Sequence, residues 1–264
     1  MKDAVQADRV QPNAPSIFLP REHGSWSLAL EPVLLGMLVA PTIAGGGLAV
    51  AAVAGFFARR PLRLSFASAE SDRRGMARMA LGVLSVLAAA GLFEAWVLGG
   101  LARLWPLAMA AVSGGLFLYF DLRGDSRASA AEIAGAATYS FLPAAFASLA
   151  GWPVPAALAL AALMQARSVP TVMTVRTYLR MAKGQDSSIV APLAAVAVAA
   201  LGATALAVLH LAPWCGSIAT VALAARAAVL LTLVRGAWSA RRVGFTEALL
   251  GLGYISAVAL AYRA

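Results

Sequence analysis

Apolar stretches long enough to cross a bilayer follow one another from Trp26 almost to the C-terminus, separated by short polar joints. A hydrocarbon core about 30 Å thick needs roughly 20 consecutive apolar residues in helical form. Nine such segments are read, at about 26–44, 47–66, 76–98, 104–120, 131–149, 153–179, 189–211, 214–235 and 246–262. All are rich in Ala, Leu, Val and Gly, and none alternates with a period of two. In lipid every backbone N–H and C=O must be satisfied internally, which leaves helices or closed barrels. Without alternation, helices are expected. The fold class is therefore all-α, a bundle of nine transmembrane helices whose small residues allow close packing. With 61% hydrophobic and only 12% charged residues, an ordinary soluble domain is excluded. Residues 1–20 are a polar lead-in without the apolar core of a signal peptide, and 21–264 form one membrane domain.

The net charge of +9 could point to nucleic acid, but its distribution points to the membrane. The joints near Ala44, Gly151 and Pro213 carry no Lys or Arg, and the joint near Gly100 carries only Arg103. The alternate joints carry Arg59, Arg60, Arg63, Arg73 and Arg74; Arg123 and Arg127; Arg176, Arg180 and Lys183; and Arg235, Arg241 and Arg242. The positive-inside rule then places the N-terminus and these basic joints in the cytoplasm and the C-terminus outside. Basic loops this short, separated by spans, do not make a nucleic-acid surface. The single cysteine, Cys215, rules out a disulfide framework within the chain.

Two of the basic joints contain the same phrase. Arg59-Arg60-Pro61-Leu62-Arg63-Leu64 ends the second segment and Arg176-Thr177-Tyr178-Leu179-Arg180-Met181 ends the sixth, each reading R-x-x-L-R and an apolar residue. On a helix, arginines four apart share one face. The nine segments divide into four, four and one, so the phrases fall on corresponding members of two half-chains. One anionic site assembled from an internal repeat is one reading. Arginines placed by topology alone are the other.

Further candidates stand at the entrance and interior of the bundle. Pro20-Arg21-Glu22-His23-Gly24-Ser25-Trp26 gathers a cation, a carboxylate, an imidazole and an interfacial aromatic. His23 titrates near neutrality and, with Glu22, is the candidate acid or base; Arg21 is a candidate anion ligand, or a mere anchor with Trp26. Glu31, Arg167 and Arg226 lie inside apolar segments. A charge at the bilayer centre costs about 2.5–3.5 kcal/mol on insertion scales, so it faces a cavity or a partner. Glu31 is expected to pair with an arginine that the sequence does not identify. Pro170, three residues after Arg167, breaks the backbone bonding of its helix nearby. In the joint 119–127 the alternating acids and bases can pair locally, while Glu132 and Glu247 gain from helix N-termini whatever else they do.

Signatures of metal or nucleophilic chemistry are missing: there is no paired Asp-x-x-x-Asp, glycine-rich phosphate loop or Cys/His cluster. No metal ligand and no cofactor is assigned. An anion bound here would be neutralised by forked arginine hydrogen bonds. The ligand-binding candidates are Arg21, Glu31, Arg59, Arg60, Arg63, Arg123, Arg167, Arg176 and Arg180.

The opening Pro-Arg-Glu-His-Gly-Ser-Trp, the Arg59-Arg60-Pro61-Leu62 phrase and the stretch from Arg123 to Glu132-Ile133-Ala134-Gly135 resemble the YwiC-like family of bacterial membrane proteins. The resemblance runs from Phe18 onward, implies a multi-pass protein of the bacterial cytoplasmic (inner) membrane, and brings no established activity. More distantly, the layout resembles the UbiA-type intramembrane prenyltransferases. That resemblance implies a nine-helix UbiA-like bundle with two aspartate motifs, after helices two and six, that hold magnesium and a polyprenyl pyrophosphate. This chain carries Arg59–Arg63 and Arg176–Arg180 at those places, and Tyr119–Arg123 where those enzymes have a tyrosine and a basic pair. The metal ligands are therefore not carried over.

Three functions follow. The first is binding of an anionic lipid, prenyl phosphate or quinone-like amphiphile in an arginine-lined cavity facing the cytoplasm, without metal. The second is transport of an organic anion through Glu31, Arg167 and Arg226. The third is a membrane accessory or assembly subunit with a membrane-protein partner. Whether any reaction is catalysed stays open.

Overall fold

Proline and glycine punctuate this chain as elementary helix chemistry requires. Proline opens helices because its missing N–H is an unused donor in the first turn. Glycine closes them because it adopts the left-handed backbone without a Cβ clash, as at Gly100 (φ +86°) and Gly184 (φ +68°). The computed structural model describes residues 25–66, 71–125 and 128–263. Its helices are α1 (Ser25–Val39), α2 (Ile43–Phe66), α3 (Ser71–Gly99), α4 (Pro106–Leu122), α5 (Ser129–Ser140), α6 (Leu142–Leu149), α7 (Val154–Ala182), α8 (Val190–Val208), α9 (Trp214–Val229) and α10 (Ala240–Ala261). A 3₁₀ turn, Leu101–Leu104, precedes α4, and a π turn, Leu230–Val234, extends α9. No strand occurs among the described residues. The lead-in 1–20 and the entrance residues Arg21, Glu22 and His23 lie outside them.

Six helical stretches are long and apolar enough to cross a membrane: those of α2, α3, α7, α8, α9 with its π turn, and α10. The nine expected segments all recur as helix, but three fall short of that length. The first and fourth recur as α1 and α4, of 15 and 17 residues. The fifth is broken at Phe141 into α5 and α6. Pro143 explains the break, since it has no N–H for the carbonyl of Tyr139 and its ring clashes there.

All eight residues of α6 are buried, so this half-helix is core, not lipid-facing wall. α1 and α7 pack against it. Its Phe146 is fully buried, with ring atoms so close to Gly36 of α1 that a Cβ there would lie 2.2 Å away. Around it Leu35, Leu48, Leu160 and Leu163 complete the central core. α3 is peripheral and packs along α2. A Cβ on Gly91 of α3 would sit 2.4 Å from the Gly47 carbonyl oxygen of α2, which means the two backbones touch. The other face of α3, with Met79, Val83, Val86 and Phe93, is exposed. A helix apolar where it is exposed belongs in lipid, where helices associate through such small-residue contacts.

Candidate functional site

Antiparallel packing brings the C-terminal ends of α2, α4 and α7 to the same end of the bundle as the N-terminal ends of α5 and α10. Between them, and reaching Ala29 of α1, lies a cavity of about 900 Å³. Its walls are mostly small and apolar, with Phe56 and Leu62 from α2, Phe117 and Leu118 from α4, and Val172 and Val175 from α7. Five cations line it, Arg59, Arg167, Arg176, Arg180 and Lys183, against two carboxylates, Glu132 and Glu247.

Both arginine phrases reach this cavity, although not with all their members. Arg176 and Arg180 stand one turn apart on α7, and both line it. Arg176 Nη1 donates to Glu132 Oε2 of α5 at 2.7 Å. Arg180 donates to the Asp186 carbonyl at 3.3 Å. From the first phrase Arg59 lines the cavity, with its guanidinium 4.5 Å from the centre of the Phe117 ring. Arg59 Nη2 also donates to Asp121 Oδ1 at 3.1 Å, and Arg63 Nη1 lies 3.9 Å from the same oxygen. Arg60 and Arg63 are off the lining. Arg123 is also off it and stacks on Tyr119 at 4.3 Å.

Asp121 finds its partners outside its own loop, whereas the local pairing expected of Asp125 with Arg127 falls on a residue, Arg127, outside the described ones. Buried at the end of α4, Asp121 reaches across to α2 and ties the first arginine phrase to the fourth helix. The signal was available, since a lone carboxylate directly after the apolar run Leu116–Phe120 has to find a partner. Trp26, expected at the headgroup level, packs edge-on against Phe56 and Phe57 of α2.

The interior charges meet at the floor. Arg167, only 2% exposed, carries Glu31 of α1 at 3.4 Å on Nη2, and Nη2 also donates to the Glu247 carbonyl at 2.9 Å. Its Nη1 donates to Thr171 Oγ1 and lies 3.7 Å from Glu247 Oε2. Glu247 is shared with Arg226 of α9, which also donates to Thr246 Oγ1 at 3.2 Å. Two guanidiniums and two carboxylates thus join α1, α7, α9 and α10 with no net charge. Low polarity around such a cluster makes each partner strongly dependent on the others. Gly251 of α10 gives the cluster its space, because a Cβ there would lie 1.8 Å from Glu31 Oε1.

Several wall residues were not among the ligand candidates: Lys183, read from the sequence only as a topological charge, and Gln185, Phe117 and Tyr139. Lysine at a helix end and an aromatic in an apolar run are too common to stand out. Among the described residues no three His, Cys, Asp or Glu side chains are grouped as a metal site would require.

The fold and its long apolar helices define an integral, multi-pass helical membrane protein. Residues 19–147, from the end of the lead-in through most of α6, match the family model described as YwiC-like protein. Over that stretch, just under half of its length, the chain is similar to that family. No curated protein and no solved structure matches it.

Proposed function

We propose that the protein binds an anionic amphiphile, such as a prenyl phosphate or a related lipid, with its head at the arginine end of the cavity and its tail in the apolar interior. The observation that carries this reading is the composition of one wall: Arg176, Arg180 and Lys183 follow one another along the end of α7, directly beside Val172, Val175 and Leu179. Guanidinium groups hold phosphate or carboxylate oxygens by paired charge-assisted hydrogen bonds. A volume of about 900 Å³ lies in the upper part of the range typical of small-molecule pockets. In this reading the chain spans the bacterial inner membrane nine times in a UbiA-like layout. α1, α4 and the broken α5–α6 pair complete the spans, and the cationic end faces the cytoplasm. The arginines take the place of a metal in neutralising the head.

Equilibrium binding of farnesyl phosphate to the full-length protein in mild detergent with EDTA tests this. Saturable binding that the Arg176→Ala/Arg180→Ala pair weakens at least tenfold is expected. Binding unchanged in that variant, or none in the wild type, overturns the reading.

A second reading, transport of an organic anion, draws on the charge cluster at the cavity floor, which stands where a gate would have to open. Flux in proteoliposomes that disappears on substitution of Arg167, in a variant that still folds, would favour it.

A further inference from the structure

The wall of the large cavity carries more positive charge than negative, and the ion pairs around it show by how much. Of its five cations, three are matched. Arg59 meets Asp121, and Arg176 meets Glu132. Arg167 belongs to the floor cluster, where it and Arg226 face Glu31 and Glu247. Arg63, which also approaches Asp121, is not on this wall. Arg180 and Lys183 are left over. Among the described residues no carboxylate lies within ion-pair distance of either. Asp186, close by in the chain, offers Arg180 its backbone carbonyl instead. The two cations stand three residues apart at the end of α7, a spacing that puts both on one face, and both line the cavity.

We infer that the head of the ligand is a dianion, a phosphate monoester, and that Glu132 is the residue that sets this charge; the inference rests on the amphiphile reading above. A phosphate monoester, with its second pKa at about 6, carries two negative charges in mildly alkaline solution, one for each unmatched cation. The guanidinium fork of Arg180 can take two of its oxygens and the Lys183 ammonium, a point charge, the third. A carboxylate or a phosphodiester brings one charge and leaves a cation unmatched. A diphosphate brings an additional charge, and the next arginine along α7 is not open to it. Arg176 is held by Glu132 Oε2 at 2.7 Å, and Glu132 itself lines the cavity. The surplus charge would meet that carboxylate. Selectivity of this kind needs a repulsive group as well as attractive ones, and Glu132 supplies it from the first turn of α5.

The test compares three ligands with one tail: farnesyl phosphate, its methyl diester and farnesyl diphosphate. Each is titrated into the full-length protein in mild detergent with EDTA, at mildly alkaline pH and low ionic strength, where screening is weak. The monoester is expected to bind at least tenfold more tightly than either of the others. In Glu132→Gln, which releases Arg176, the diphosphate should gain at least tenfold on the monoester. In Arg180→Gln the monoester should lose its advantage over the diester. Each result is a ratio within one variant, so a smaller folded fraction does not disturb it. Inorganic phosphate, a dianion without a tail, should displace the monoester only at far higher concentration; displacement at equal concentration would make the ligand a free phosphate and overturn the lipid assignment. A diphosphate bound as tightly as the monoester by the wild type, or a ratio unmoved in Glu132→Gln, overturns the inference and leaves the amphiphile reading standing. If none of the three binds, both fall.

Discussion

Gly251→Ala is the sharpest perturbation of the charge cluster, because it adds one methyl group and changes no charge. Gly251 is buried on α10, and its missing side chain is the space occupied by the Glu31 carboxylate. An added Cβ would lie 1.8 Å from Glu31 Oε1, 2.3 Å from its carboxyl carbon and 2.8 Å from Arg167 Nη2. The carboxylate has to retreat by well over an ångström, and its 3.4 Å contact with Arg167 is lost. Breaking a buried ion pair costs about 3–5 kcal/mol. Alanine returns about 1 kcal/mol through its higher helix propensity. The expected net destabilisation is therefore about 2–4 kcal/mol. Gly253→Ala, two residues on and open on all sides, is the control. It keeps the propensity gain without the clash, so it should be neutral or stabilising by up to about 1 kcal/mol. Reversible unfolding in mixed micelles, followed by circular dichroism, measures both. A double-mutant cycle with Glu31→Ala isolates the cause. Once the carboxylate is gone, Gly251→Ala should lose most of its penalty. If Gly251→Ala proves as benign as Gly253→Ala, or if its penalty persists without Glu31, the reasoning fails.

The remaining expectations concern other joints of the bundle. Gly91→Ala forces a methyl into the Gly47 carbonyl of α2, and overpacking of that kind costs about 1–3 kcal/mol; an engineered cysteine pair across α2 and α3 should cross-link more slowly in that variant. Tyr178, fully buried, accepts from the Trp238 amide at 2.6 Å and donates to the Trp238 carbonyl at 3.1 Å. Tyr178→Phe leaves both without their partner at a cost of about 1–3 kcal/mol, read as a lower midpoint in the same unfolding assay. Arg176→Ala/Arg180→Ala should leave stability nearly unchanged. The Arg176–Glu132 pair is partly exposed, and such pairs contribute about 0–1 kcal/mol. A large loss of stability would mean that these arginines are structural.

How much of this was legible in the sequence follows from which forces are local. Apolar run length and proline or glycine punctuation are local, so every helical segment could be placed. Even so, the break at Phe141 passed unread because Pro143 sits in an otherwise apolar run. The intramembrane charges announced that they needed partners, but not which. Glu31 and Arg167 are 136 residues apart, and only the packing of α1 on α6 and α10 and of α7 beside them brings the two together. The twin arginine phrases lie at one end of the bundle, where Arg59, Arg176 and Arg180 line the same cavity. The members nonetheless differ, because Asp121 holds Arg63 away from the lining and Arg59 at its edge, while α7 turns both Arg176 and Arg180 to the cavity. Nothing in the residue pattern fixes those rotations.

Photo-cross-linking distinguishes whether one cavity holds an anionic head and an apolar tail, as proposed. A farnesyl phosphate analogue with a diazirine on its tail, irradiated with the full-length protein in nanodiscs, should label cavity-wall positions such as Phe117, Leu118, Val172 and Val175. Unlabelled farnesyl phosphate should suppress that labelling, and Arg176→Ala/Arg180→Ala should abolish it. Labelling confined to the exposed side of α3, at Met79, Val83 or Val86, and insensitive to competitor would mean that the cavity does not hold the ligand.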